Sequence, residues 1–180
     1  MTRIFGILIA VLFLSVGQTA SSQGLLNRAL ALMGNADAQV LLGYAYDFGE
    51  GVEQDFVEAV KWYRLAAEQG NAQAQNYLGN AYYNGKGVEQ DFVEAVKWYR
   101  LAAEQGNADA QFLLGYAYKK GEGTIKDLVY SHMWFNIAAS LGGISAVEAR
   151  ELIAKEMTPE QIAEAQKLAR ECVRKAYKNC

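Results

Sequence analysis

Residues 51 to 72 and residues 87 to 108 carry the same 22-residue stretch, GVEQDFVEAVKWYRLAAEQGNA, 36 positions apart. That offset governs more than the copied stretch. Residues 34 to 69 (GNADAQVLLGYAYDFGEGVEQDFVEAVKWYRLAAEQ), 70 to 105 (GNAQAQNYLGNAYYNGKGVEQDFVEAVKWYRLAAEQ) and 106 to 141 (GNADAQFLLGYAYKKGEGTIKDLVYSHMWFNIAASL) align without a gap. A fixed period between 20 and 50 residues implies units that stack on their neighbours into a solenoid, with no single centre that every element surrounds.

Each unit reads as two helices. The first is expected from about Asn35 to Asp47 and ends at the GEG sequence, where glycine takes up the positive φ that stops a helix. Asp55 opens the second, and Glu58 three residues later is placed to complete a capping box; Asp91 and Glu94 repeat the arrangement. Phe56, Ala59, Tyr63 and Ala66 share one apolar face, with Trp62 and Ala67 beside it, and Gly70 closes the helix. Small residues at Ala38, Gly43, Ala59, Ala66 and Ala67 let helix axes approach closely. Trp62, Tyr63, Trp98, Tyr99, Trp134 and Phe135 are read as packing residues that repeat because the packing repeats, in preference to a ligand cage.

Ala38, Leu42, Gly43, Tyr46, Gly49, Gly51, Val52, Asp55, Ala59, Trp62, Tyr63, Ala66 and Ala67 together resemble the pattern of the Sel-one-like repeat family, relatives of the tetratricopeptide repeats. The third unit departs from it at Thr124 and Ser131, and MWFNIAAS with RELIAKEMTPEQIAEAQKLARE resembles the closing segment of bacterial members. The resemblance implies an all-α fold, a right-handed α-α superhelix of helix pairs with a C-terminal capping helix. It also implies an adaptor that holds other proteins, with no chemistry common to the family, and first helices that line the concave surface.

The chain opens with Arg3, an apolar run from residue 4 to residue 16, and small polar residues, the layout of a secretory signal peptide. The run is short for a permanent membrane span, and cleavage is expected after Ala20 or Ser22, leaving no membrane insertion once the signal is removed. The organisation expected is an export segment at 1 to 22, a half-repeat cap at 23 to 33, three units at 34 to 69, 70 to 105 and 106 to 141, and a helical cap at 142 to 180. Thr158, Pro159 and Gln161 form the amino-terminal signal of the last helix, expected to run to about Tyr177. Localisation is then periplasmic or secreted. A net charge of −3 with no basic stripe argues against a nucleic-acid partner.

Cys172 and Cys180 are an even pair in a chain read as exported, which suggests a disulfide, with free or intermolecular thiols as the alternative. Eight residues of straight helix would separate their Cα atoms by about 12 Å, so an intrachain bridge requires the helix to end first and the tail to fold back. The only histidine, His132, stands where the other units have Val60 and Val96 and is read as structural. With no second His, no phosphate loop, no G-x-S-x-G and no C-x-x-C, the chain is read as no enzyme, without cofactor or metal. The alternative drawn from relatives is a cell-wall or β-lactam-binding protein with weak hydrolase activity; the third reading is a passive spacer in an assembly.

Between the first two units only seven positions differ: 37, 40, 41, 44, 47, 48 and 50. The first six fall within an arc of about 120° on the first helix. Drift on a solvated face would also confine changes to that arc, but this face carries an aromatic residue in every unit, as binding surfaces tend to. The candidate groove for a protein or peptide is therefore Asp37, Tyr44, Asp47 and Phe48 in the first unit. In the second it is Asn76, Tyr77, Asn80, Tyr83 and Asn84, and in the third Phe112, Tyr116, Lys119 and Lys120.

Overall fold

The structure is a computed structural model that describes residues 20 to 180. All of the export segment but its last three residues lies outside the described residues. Nine helices and no strands are found among the described residues: α1 (Ala20–Leu32), α2 (Ala36–Phe48), α3 (Phe56–Glu68), α4 (Ala72–Asn84), α5 (Phe92–Ala103), α6 (Ala108–Lys120), α7 (Leu128–Ser140), α8 (Ile144–Ala154) and α9 (Pro159–Arg174). Each first helix (α2, α4, α6) packs on the second helix of its own unit (α3, α5, α7) and on the second helix that precedes it. The result is an all-α helical repeat solenoid.

The helix ends follow from side chains that recur every 36 residues. Asn35, Asn71 and Asn107 are N-caps, each accepting the backbone N–H of the alanine three residues on. The first helices therefore begin one residue later than expected, at Ala36, Ala72 and Ala108. They stop at Gly49, Gly85 and Gly121 in left-handed backbone, φ 72°, 66° and 76°. The second helices are capped by Asp55, Asp91 and Asp127, whose carboxylates each accept two backbone N–H groups. The expected capping box is only half made. Glu58 and Glu94 turn away from the cap to pair with Lys61 and Lys97 one turn on, a charged partner that competes with the backbone N–H.

Close helix approach is written at Gly43, Gly79 and Gly115. A Cβ at these positions would stand 2.6, 2.6 and 2.8 Å from the ring of Tyr63, Tyr99 or Phe135, which packs against the glycine. Between units, Gly87 and Gly123 sit directly on the backbone carbonyls of Phe56 and Phe92, at the amino ends of α3 and α5. The departure at Ser131 is also accounted for: it is fully buried, and its hydroxyl donates to the Gly115 carbonyl at 2.7 Å.

A second ladder runs through the interior. Gln39, Gln75 and Gln111 are buried, and each side-chain amide donates to a last-turn carbonyl of the preceding second helix, Ala31, Ala67 or Ala103, at 3.1 to 3.2 Å. Gln69 and Gln105 in turn donate to Oε1 of Gln39 and Gln75 at 2.7 and 2.8 Å. In the third unit Leu141 occupies the position of Gln69 and Gln105, and Oε1 of Gln111 is left buried without a partner.

The carboxy-terminal cap packs through α8 and α9 on α7. Thr158 and Gln161 make both halves of a capping box, and α9 buries Ala165, Ala169 and Cys172. The helix ends at Arg174, short of Tyr177, and the chain reverses through Ala176, Tyr177 and Asn179, all at positive φ. Cys172 and Cys180 are joined by a disulfide with Cα atoms 5.4 Å apart. Tyr177 packs toward Gly106, at the junction of units two and three.

Candidate functional site

The varied face of the first helices resolves into three kinds of position. Tyr44, Phe48 and Tyr77 form an aromatic run across the first two units: the rings of Tyr44 and Phe48 lie 4.4 Å apart, and those of Tyr44 and Tyr77 6.3 Å apart. The run continues to Tyr63 on α3, 4.9 Å from Tyr77. Phe48 is 57% exposed and Tyr116 38% exposed, so both offer ring surface outward. Asp37 and Asn84 are exposed as well, the first accepting from the Asn71 side chain at 2.9 Å and the second donating to the Asn80 carbonyl at 2.8 Å.

Other candidates are engaged within the protein. Asn80 accepts the Tyr99 hydroxyl at 2.8 Å, and Asp47 accepts that of Tyr63 at 3.3 Å. Burial, and then the nearby Asp47 carboxylate, push the Tyr63 phenol up; burial does the same to Tyr99. The Tyr83 hydroxyl donates to Glu122 at 2.6 Å, and Lys120 donates to Tyr83 at 3.5 Å. Lys120 also pairs with Glu122 at 3.4 Å and lies 4.9 Å above the Tyr116 ring. Burial and the bond to Glu122 raise the Tyr83 phenol, and the bond to Tyr83 raises Lys120. Lys119 reaches Glu156 of the cap at 4.0 Å. Phe112 stands 5.5 Å from Phe135 and 6.5 Å from Tyr116, half in the core.

Asn76 does not belong to the face. It is 3% exposed, with Oδ1 buried and unpartnered. Its position turns toward the second helix of its own unit, as the contact of its counterpart Phe112 with Phe135 shows. The variation Val40, Asn76, Phe112 is therefore a change of filling in a partly adjustable space, not a change of surface.

These residues frame a cleft of about 420 Å³ between the first and second units. Asp47, Phe48, Phe56 and Tyr63 line one side and Tyr77, Asn80, Asn84 and Lys86 the other, with Ala59, Val60 and Ala81 among the remaining lining residues. Lys86 lies 5.2 Å above the Phe56 ring. At the matching junction of units two and three, Tyr83 stands where Asp47 does. Its ring packs edge-on against Phe92 at 5.2 Å and its hydroxyl reaches across to Glu122, so a phenol lies in the corresponding space. Lys86 and Glu122 occupy one loop position of the repeat, a signal that the first-helix arc alone does not contain.

For chemistry the arrangement offers little. Cys172 is in the disulfide, and His132 is buried, Nδ1 unpartnered, its imidazole held below the usual range by burial and by Arg150. Among the described residues no group of His, Cys, Asp and Glu side chains could hold a metal ion, and no helix is long and apolar enough to cross a membrane.

The family model described as Sel1 repeat matches residues 36–71, 72–107 and 108–143. No curated protein matches the chain. Among solved structures, c5321, described as a protective antigen present in uropathogenic Escherichia coli strains and displaying an SLR fold, is similar with a TM-score of 0.66 and 29% identity over 91% of this chain. The chain spans 44% of that protein's length. A Sel1 repeat protein from Oxalobacter formigenes aligns with a TM-score of 0.64 and 38% identity over 69% of this chain and 94% of the other. Cysteine rich protein B of Helicobacter pylori shares the fold, with a TM-score of 0.59 at 20% identity over 74% of this chain and 98% of its own.

Proposed function

The chain belongs to the Sel1 repeat family, and from that premise we propose that it is an exported scaffold that binds a protein or peptide through the concave face formed by α2, α4 and α6. Proteins of this family generally mediate protein–protein interactions. The observation that carries the reading is the unequal treatment of aromatic residues. On the second helices Tyr63, Tyr99, Trp134 and Phe135 are buried and Phe56, Trp62, Phe92, Trp98 and Tyr130 are half-buried, whereas the exposed aromatics among the described residues, Phe48 and Tyr116, both stand on first helices, and Phe48 with half-buried Tyr77 lines an open cleft. Aromatic side chains held half-open by internal packing bring large contact area at little entropic cost, which favours interface anchors.

Export rests on the pattern of residues 3 to 22. Intact mass of the chain recovered from outside the cytoplasm should place the mature amino terminus near Ser21 or Gln23; retention of Met1 in the folded protein overturns that part.

Binding is tested by crosslinking the chain in its own compartment, identifying what is captured, and repeating the capture with Phe48→Ser and Tyr116→Ser together. Each ring is about half exposed, so each substitution should cost about 1 kcal/mol of stability, leaving the double variant folded, while capture is lost. Full capture by a folded double variant would place binding elsewhere.

A further inference from the structure

We infer that the cleft between the first and second units is a subsite for an arginine side chain of an extended peptide, its guanidinium against Asp47 and its methylenes between Phe48 and Tyr77. The inference rests on the groove reading and gives it a chemistry.

Three observations lead there. The cleft is largely aromatic and apolar, yet Asp47 brings a carboxylate into it. That carboxylate accepts the Tyr63 hydroxyl at 3.3 Å, a long bond that leaves acceptor capacity unspent. Around it stand the rings of Phe48, Tyr63 and Tyr77, and aromatic faces attract a cation as the carboxylate does. A planar guanidinium suits both at once: it stacks on a ring and accepts the two-pronged geometry of a carboxylate, which an ammonium cannot.

The second and third units show what the site is not. Where Asp47 stands, unit two has Tyr83 and unit three Lys119, which is drawn to Glu156. Tyr83 occupies its own junction by bonding Glu122. An aromatic cleft with a carboxylate at this position thus occurs once along the three units. Lys86, at the same cleft above Phe56, carries the opposite charge. The two charges set a polarity for the peptide, with arginine toward Asp47 and an acidic or carboxyl group toward Lys86.

The test titrates the intact, isotope-labelled chain with acetyl-Gly-Gly-Arg-Gly-Gly-amide and with its Lys, Leu and Glu counterparts, following backbone amides by NMR. The arginine peptide should shift amides of residues 44 to 48 and 77 to 86 and bind at least tenfold more tightly than the leucine peptide, with lysine between, while any shift by the glutamate peptide centres on Lys86. Asp47→Asn keeps an acceptor for Tyr63, so melting should hold while the arginine preference disappears. Lys86→Gln should leave the preference standing, since it removes only the opposing charge. Equal binding of the leucine peptide, an unchanged preference in Asp47→Asn, or no shift at the cleft with any peptide each overturns the inference. Loss of partner capture by the Phe48 and Tyr116 variant alongside any of these leaves the groove standing without its arginine; full capture by that variant removes the groove itself.

Discussion

Exchanging the residues at positions 105 and 141 measures what the glutamine ladder contributes. Gln105 donates to Oε1 of buried Gln75, whereas Leu141 leaves Oε1 of buried Gln111 without a partner. Gln105→Leu would give the second junction the composition of the third. An orphaned buried acceptor costs about 1–3 kcal/mol. The new leucine recovers part of this: Leu141 is 46% exposed, so a counterpart at 105 buries about half its side chain, worth about 1 kcal/mol. The net expectation is a loss of about 0–2 kcal/mol, a fall in Tm of up to roughly 8 °C for a chain of this size. Leu141→Gln should move the other way by a similar amount, because it supplies the missing donor. Thermal and urea melts of both single variants and the double variant read this directly, with the double close to the parent. If Gln105→Leu leaves stability unchanged or raises it, and Leu141→Gln lowers it, the orphaned oxygen carries no cost and the reasoning fails.

Gly79→Ala should destabilise by about 1–3 kcal/mol, because its Cβ would meet the Tyr99 ring at 2.6 Å, and scanning calorimetry compares it with an alanine placed at exposed Asn84. His132 is held below its usual pKa by burial and by Arg150, so the unfolded chain takes up a proton near pH 6.5 while the folded chain resists it. Stability from this residue is complete above that pH and falls as the solution is acidified, by at most about 1.4 kcal/mol per pH unit. His132→Val, which restores the residue of the other units, should flatten that part of a pH series of urea melts; an unchanged slope refutes it.

The 36-residue period, the aspartate caps and the glycine stops were legible in the sequence because each is a local device that recurs along the chain. Close packing at Gly43 was legible for the same reason. What the sequence hid lies between units or between faces. The invariance of Gln39, Gln75 and Gln111 is visible, but a glutamine reads as solvated until the carbonyl end of the preceding second helix is set beside it. Tyr83 and Glu122 are 39 residues apart and belong to different units, so no local pattern pairs them. Asn76 misled because variation was taken for exposure; its position borders two faces, and space there is filled by Val, Asn or Phe in turn. Glu58 misled by having two uses, cap or ion pair, between which Lys61 decides.

The seats at Gly87 and Gly123 have a consequence for how such a chain changes over generations. Each inner unit meets the helix end before it through the same glycine and offers the same helix end to the unit after it. A 36-residue segment with matching upstream and downstream surfaces is an interchangeable cassette, and a copied cassette inserts into the stack without a new core. The 22 identical residues at 51 to 72 and 87 to 108 are the part that such copying leaves alone. Divergence then works on one arc of one helix, where a single exchange such as Asp47 for Tyr83 changes an open cleft that holds a carboxylate into one occupied by a phenol. Length and local chemistry become two separate variables, so the array can lengthen its reach without retuning the clefts it already has.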